Sequence, residues 1–179
     1  MDDQTILAVD DKGEFLEYIP KTVGHTGKGK RHLAITVLLI NNRGEVLLQR
    51  RKHKVFDDIW DFTASTHPLH KANGIDETLE EATIRALKDE YGINYSRKDL
   101  KRVGVFNYFA QIGPYCENEH DFLLIGEYNG EVKLNSRIAY EYKWVSKLDL
   151  LKDMKFHSQK YSPWSQAGLK VLKKEGFFG

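Results

Sequence analysis

Two stretches, Ile35–Ile40 and Glu45–Arg50, flank the turn Asn41-Asn42-Arg43-Gly44 and constrain the fold more than any other part of the chain. Aliphatic, β-branched-rich arms around a tight polar turn ending in glycine predict a β-hairpin. A second hairpin is predicted where Thr5–Asp10 and Glu14–Pro20 flank Asp11-Lys12-Gly13. Residues Ile75–Tyr91 read as a helix. Leu79, Ala82, Thr83, Ala86 and Leu87 recur at helical spacing, Glu81 and Arg85 sit four apart, and Gly92 supplies the stop. Further strands are expected at about Leu100–Ala110, His120–Tyr128 and Tyr140–Val145. A short helix is expected over Asp149–Lys155 and an amphipathic one over Ser162–Glu175. Strands with one central and one terminal helix imply an α/β fold, a mixed β-sheet sandwiched between α-helices. The length, 179 residues, suits a single domain over 1–179 with a real core.

Charge and composition exclude several classes of partner. Lys and Arg number 27 against 26 Asp and Glu, a net charge of +1, which argues against a general binder of nucleic acid or membrane surfaces. A local basic pocket for a phosphate remains compatible with that balance. The longest apolar run, Ala34–Ile40, is far short of the roughly 20 residues a membrane-spanning helix needs. The N-terminus, MDDQTILAVDDK, is acidic and lacks the apolar core of a secretory signal. The single cysteine, Cys116, rules out an internal disulfide and suits a reducing compartment, so the expected location is cytoplasmic.

Chemistry concentrates in a few places. The helix and its exit carry Arg85, Asp89 and Glu90, with Glu77 upstream. Carboxylates on one helix face can hold a hard cation such as magnesium, which in turn holds a diphosphate; the alternative is a solvated face with a glycine cap. Glu117 and Glu119 are two apart, so in a strand both point to one side. Like charges that close call for a cation or a shared proton, unless the pair lies at a strand edge in water. Seven histidines are scattered: His25, His32, His53, His67, His70, His120 and His157. Three imidazoles plus two carboxylates would suit zinc or manganese, but spacing alone does not choose which three. His67 ends an unusual run, WDFTASTHP at 60–68, behind the small and hydroxyl-bearing Thr63-Ala64-Ser65-Thr66.

The stretch Arg85–Ile93 resembles the second half of the Nudix box, Arg-Glu-apolar-x-Glu-Glu-x-Gly-apolar. Within that superfamily the chain resembles type 1 isopentenyl-diphosphate isomerases from about Leu7 to about Leu172. The carrying stretches are VGHT at 23–26, KRHLAI at 30–35, LLQRR at 47–51, WDFTASTHP at 60–68, CENEHD at 116–121 and YSPW at 161–164. The resemblance implies a metal site built from His25, His32, His67, Glu117 and Glu119, with Glu119 also acting as an acid/base residue. It implies that Glu90 holds a magnesium ion on the substrate diphosphate. Lys21 and Arg51 would meet that diphosphate, as would Lys54, where the spacing is shortened. Trp164 would face the developing carbocation, which an aromatic ring stabilises by roughly 2 kcal/mol or more when desolvated. Tyr108 would lie near the reacting carbons.

The departures are as informative. The family moves a double bond by protonating one carbon and deprotonating another, with a cysteine on one side of the substrate and a glutamate on the other. The cysteine position is Ser65 here. A thiol titrates near pH 8.5 and an alcohol several units higher, so Ser65 does not readily exchange a full proton, though it can relay or position one. Cys116 is expected to face away from Glu117 and Glu119 and not to substitute. Ala86 replaces a basic residue of the isomerases and the first glutamate of the Nudix box, and Thr66 replaces a family glycine. Three readings follow: an isomerase-like enzyme acting on isopentenyl and dimethylallyl diphosphate, a Nudix hydrolase of nucleoside diphosphate-type compounds, and a non-catalytic diphosphate or metal binder. The expected partner is a small-molecule diphosphate, with no nucleic acid or membrane, on a monomer or homodimer.

Overall fold

The computed structural model describes residues 4–178; the acidic extreme N-terminus, Met1–Asp3, and Gly179 lie outside the described residues. Strands β1 (Thr5–Val9) and β2 (Phe15–Pro20) form the first expected hairpin. Its turn is held by the Asp10 carboxylate, which accepts from the backbone N–H groups of Lys12 and Glu14 at 2.8 and 2.9 Å.

The second hairpin departs from expectation. Its turn closes on the Asn41 side-chain oxygen, which accepts from Arg43 N and Glu45 N, both at 3.0 Å. Yet β3 (His32–Ile40) and β4 (Glu45–Arg51) share only the pair Ile40↔Val46. The segment 60–66 forces them apart. Strand β5 (Trp60–Asp61) pairs with β4, and β6 (Ala64–Thr66) pairs with β3. Between them the buried Thr63 hydroxyl accepts from Leu39 N at 2.8 Å and donates to Leu47 O at 2.7 Å, bridging strands that would otherwise bond each other. Thr63→Val keeps the shape but orphans both backbone groups. We expect it to lower unfolding stability by about 1–3 kcal/mol in denaturant titration, whereas an unchanged midpoint would show the bridge to be dispensable.

The two strands find other partners. β3 runs parallel to β8 (Tyr115–Glu127) from His32↔Glu119 to Ile40↔Glu127, and β4 pairs with β9 (Ala139–Ser146). β8 also pairs with β7 (Leu100–Ile112), so CENEHD at 116–121 lies inside a strand that starts earlier than its sequence suggests. Helix α2 covers Leu79–Tyr91 rather than Ile75–Tyr91. Thr78 caps it by accepting from Glu81 N, while the Glu81 carboxylate accepts from Thr78 N. That reciprocal cap sets the first turn later than the apolar spacing implies. A short α1 (Lys21–Gly24), unannounced in the sequence, follows β2; α3 (Lys147–Phe156) and α4 (Pro163–Lys174) complete the set.

Alternation along β3 builds both apolar layers. Ile35, Val37 and Leu39 pack with Ala82, Ala86, Leu87 and Tyr91 of α2. Leu38 faces the other way and packs with Leu150 and Met154 of α3 and Leu169 and Leu172 of α4. The mixed sheet is thus sandwiched between helices, as expected. No helix among the described residues is long and apolar enough to cross a membrane.

Candidate metal centre and active-site pocket

Strand register brings distant side chains together. The parallel ladder sets His32 beside Glu119, and the antiparallel ladder sets Tyr108 of β7 opposite it. Glu117 lies two residues earlier on the same face of β8. Strand β6 runs back along β3, with Ile35↔Thr66 in register, and so delivers His67 to the same end of β3. His25 arrives on the loop after α1, which is stitched to β8 by Cys116 N donating to His25 O at 3.0 Å and Gly27 N donating to Pro114 O at 3.0 Å. This loop needs glycine. A Cβ on Gly29, whose φ is +54°, would lie 2.2 Å from Gly24 O and 2.6 Å from Cys116 Sγ.

One ligand-capable atom from each of His25, His32, His67, Glu117 and Glu119 lies within 4.8 Å of all the others. The Nδ1 atoms of His25 and His32 sit 2.7 and 2.8 Å from the carbonyls of Lys21 and Lys30. Carbonyls only accept, so those nitrogens carry the hydrogen and both Nε2 lone pairs point into the cluster. There Nε2 of His25 and of His32 and Oε2 of Glu117 are buried without a hydrogen-bond partner. His25 Nε2 is 3.1 Å from Glu117 Oε2, but off the line of a hydrogen bond. Buried polar atoms left orphaned are costly, and a cation would satisfy all three. The residues present therefore fit a divalent metal. Glu119 accepts from the Tyr108 hydroxyl, and its Oε1 is 2.9 Å from His67 Nε2.

The cluster opens onto a cavity of about 610 Å³. Lys21, Arg51 and Lys54 line it, as do Glu90, Ser65, Tyr108 and Trp164; of the twelve residues that the isomerase resemblance assigns to the site, only His32 is set behind the wall. The Arg51 guanidinium lies 4.7 Å over the Trp164 ring, and Tyr108 is 6.1 Å from that ring on centroids. Lys54 is held 4.9 Å over Tyr115. His53 also lines the cavity, but burial and the charges of Arg51 and Lys21 push its imidazole down to about 4, so it adds no cation near neutrality. Glu90, bonded by Gln49 Nε2 at 3.1 Å, is pushed up to about 8 by burial. Such a carboxyl ionises at neutral pH when a cation comes to it.

The NUDIX domain description matches residues 30–165. The chain belongs to the NUDIX family. Among curated relatives of this NUDIX protein, the isopentenyl-diphosphate Delta-isomerase of Nocardia farcinica is 30% identical over 167 residues, covering 91% of each chain. Isopentenyl-diphosphate Delta-isomerase 2 of Aromatoleum aromaticum is 29% identical over 172 residues, covering 94% of this chain and 86% of its own. The chain is thus an isopentenyl-diphosphate isomerase-like NUDIX enzyme. A crystal structure from Deinococcus radiodurans aligns with a TM-score of 0.69 at 13% identity, covering 93% of this chain and 97% of that one. The MutT protein of Methanosarcina mazei gives 0.62 at 22%, covering 80% and 94%. At these identities the two likenesses bear on fold alone.

Other residues of this NUDIX enzyme turn away from the pocket. Glu77 is absent from the cavity wall and is tied to Arg85, with Oε2 2.8 Å from Nη2. Arg85 itself lines the cavity and donates another bond to the His67 carbonyl at 2.9 Å, so this pair braces His67. Cys116 is buried against Gly24 O, and burial pushes its thiol up, in keeping with the expected opposite face. His120 bonds Asn107 at 2.7 Å, His70 bonds Asp76 at 2.6 Å, and His157 bonds Asp153 at 2.7 Å. The sequence reading passed over Asp61, which is fully buried behind Ser65 and Arg51 and is bonded to both. The available signal was an acid directly after Trp60, in a segment otherwise apolar or hydroxyl-bearing up to His67.

Proposed function

We propose that this NUDIX enzyme interconverts isopentenyl and dimethylallyl diphosphate and holds zinc or manganese at its three-histidine, two-glutamate cluster. The single observation behind this reading is the convergence of those five side chains, with orphaned lone pairs, beside a cavity whose wall also presents Lys21, Arg51 and Trp164. Lys21, Arg51 and Lys54 grip the diphosphate, and Glu90 holds the magnesium ion that accompanies it. A divalent metal held by His25, His32, His67, Glu117 and Glu119 would supply positive charge beside Glu119. Glu119 exchanges a proton with a substrate carbon, and Tyr108 fixes its carboxylate by the hydroxyl bond. One carbon of the alkene gains a proton, its neighbour becomes a tertiary cation, and the next carbon loses a proton to form the new double bond. Trp164 faces the cation and excludes the water that would quench it. Ser65 lines the same cavity and orients or relays the second proton. A cytoplasmic small-molecule enzyme is the setting that this chemistry suits.

The hydrolase reading has less support. Ala86 stands where the Nudix box has its first glutamate, and Glu77 is spent on Arg85. The deciding experiment incubates the protein with isopentenyl diphosphate, magnesium and zinc or manganese. Dimethylallyl diphosphate is the expected product, lost after chelation and restored by added metal. Inorganic phosphate from a nucleotide panel, with no isomerised product, would overturn the proposal in favour of hydrolysis.

A further inference from the structure

We infer that Asp61 is the positioning residue of the pocket: one buried carboxylate fixes the Arg51 guanidinium, the Ser65 hydroxyl and the N-terminus of α4 that carries Trp164. Its two oxygens divide the work. Oδ2 accepts from Arg51 Nη1 at 3.0 Å and from Ser65 Oγ at 3.3 Å, both residues of the cavity wall. Oδ1 accepts from Phe62 N at 2.8 Å, Ser162 Oγ at 2.9 Å and Ser165 Oγ at 2.8 Å. Ser162 is the cap of α4 and accepts from Ser165 N at 3.1 Å, so Asp61 grips the residues on both sides of Trp164. These five donors more than occupy the roughly four lone-pair positions of a carboxylate, and an amide could not serve them all.

Arg51 shows what the grip does. Asp61 holds Nη1, the Phe56 carbonyl accepts from Nε at 3.3 Å, and the Trp164 ring lies beneath the guanidinium. The plane is locked, and Nη2 has no hydrogen-bond acceptor among the described residues. That free edge is the one available to a phosphate oxygen. A buried ion pair contributes little net stability compared with apolar packing, so its value here lies in geometry. Asp61 also gives Ser65 a reason to be serine. A hydroxyl donates firmly to a carboxylate, and a thiol does so weakly.

The inference rests on the diphosphate reading of the pocket, and its test separates the two. Asp61→Asn, shown to be folded by circular dichroism, is titrated with inorganic diphosphate and magnesium in a calorimeter. Affinity is expected to fall at least about tenfold, as when one partner of a buried charged bond is removed. Arg51→Lys should weaken binding too, and the double variant should be no weaker than the poorer single one, because both changes break one link. A folded Asp61→Asn with undiminished affinity, or losses that simply multiply in the double variant, would overturn the inference. Should Asp61→Asn fail to fold, or the unaltered chain fail to bind diphosphate, side-chain NMR of the unaltered chain decides. Separate, slowly exchanging Arg51 Nη signals before any ligand is added support the grip, and signals averaged by free rotation refute it. A protein that binds diphosphate but yields no dimethylallyl diphosphate would sink the isomerase proposal and leave this one standing.

Discussion

Glu119→Gln is expected to cut dimethylallyl diphosphate formation by about 10²–10⁴-fold, the usual worth of a positioned acid or base. The substitution preserves volume at a site only 6% exposed, so packing is hardly disturbed. Oxygen remains for the Tyr108 hydroxyl, but the amide neither accepts nor returns a proton. It also removes one of two carboxylates from the five-residue cluster, so metal content must be measured alongside turnover. Assays at saturating metal separate the effects. If turnover recovers in step with metal occupancy, Glu119 is a ligand alone and its acid/base role is lost. If turnover stays low in a fully loaded variant, the proton role stands.

Ser65→Cys should act in the opposite direction, raising isomerisation by about 10²-fold or more, because it restores a group that titrates within reach of neutral pH. Ser65 lines the cavity and is already placed at its wall. The new thiol would bond Asp61 weakly and so be freer toward the substrate, while Arg51, Ser162 and Ser165 would keep Asp61 in place. Initial rates with isopentenyl diphosphate, at equal metal loading, provide the measurement. An unchanged rate would mean that the pocket is shaped for a different reaction.

Local structure was legible wherever the determinants lie close in sequence. Asp10 and Asn41 close their turns through neighbours two and four residues away, and both turns form as their composition implies. The parting of β3 from β4 was not legible. Its agent is one hydroxyl, Thr63, reaching Leu39 and Leu47 from a segment whose strands are too short to show periodicity. The five clustered side chains came from a family resemblance, since nothing in their spacing distinguishes His25, His32 and His67 from the other four histidines. Asp61 escaped for the same physical reason. Its donors come from positions 51, 62, 65, 162 and 165, and only the folded chain makes them neighbours. Glu77 shows the converse, for proximity in sequence to the helix suggested a cation site where the fold makes an ion pair with Arg85.

The side-by-side pairing of β3 with β8 has a consequence for how these molecules mature. A slip of one residue between the strands would turn either His32 or Glu119 to the far side, and the nest of donors would never assemble. On the proposed metal-binding reading, only chains threaded in this register would hold the ion and gain its stabilisation by mass action.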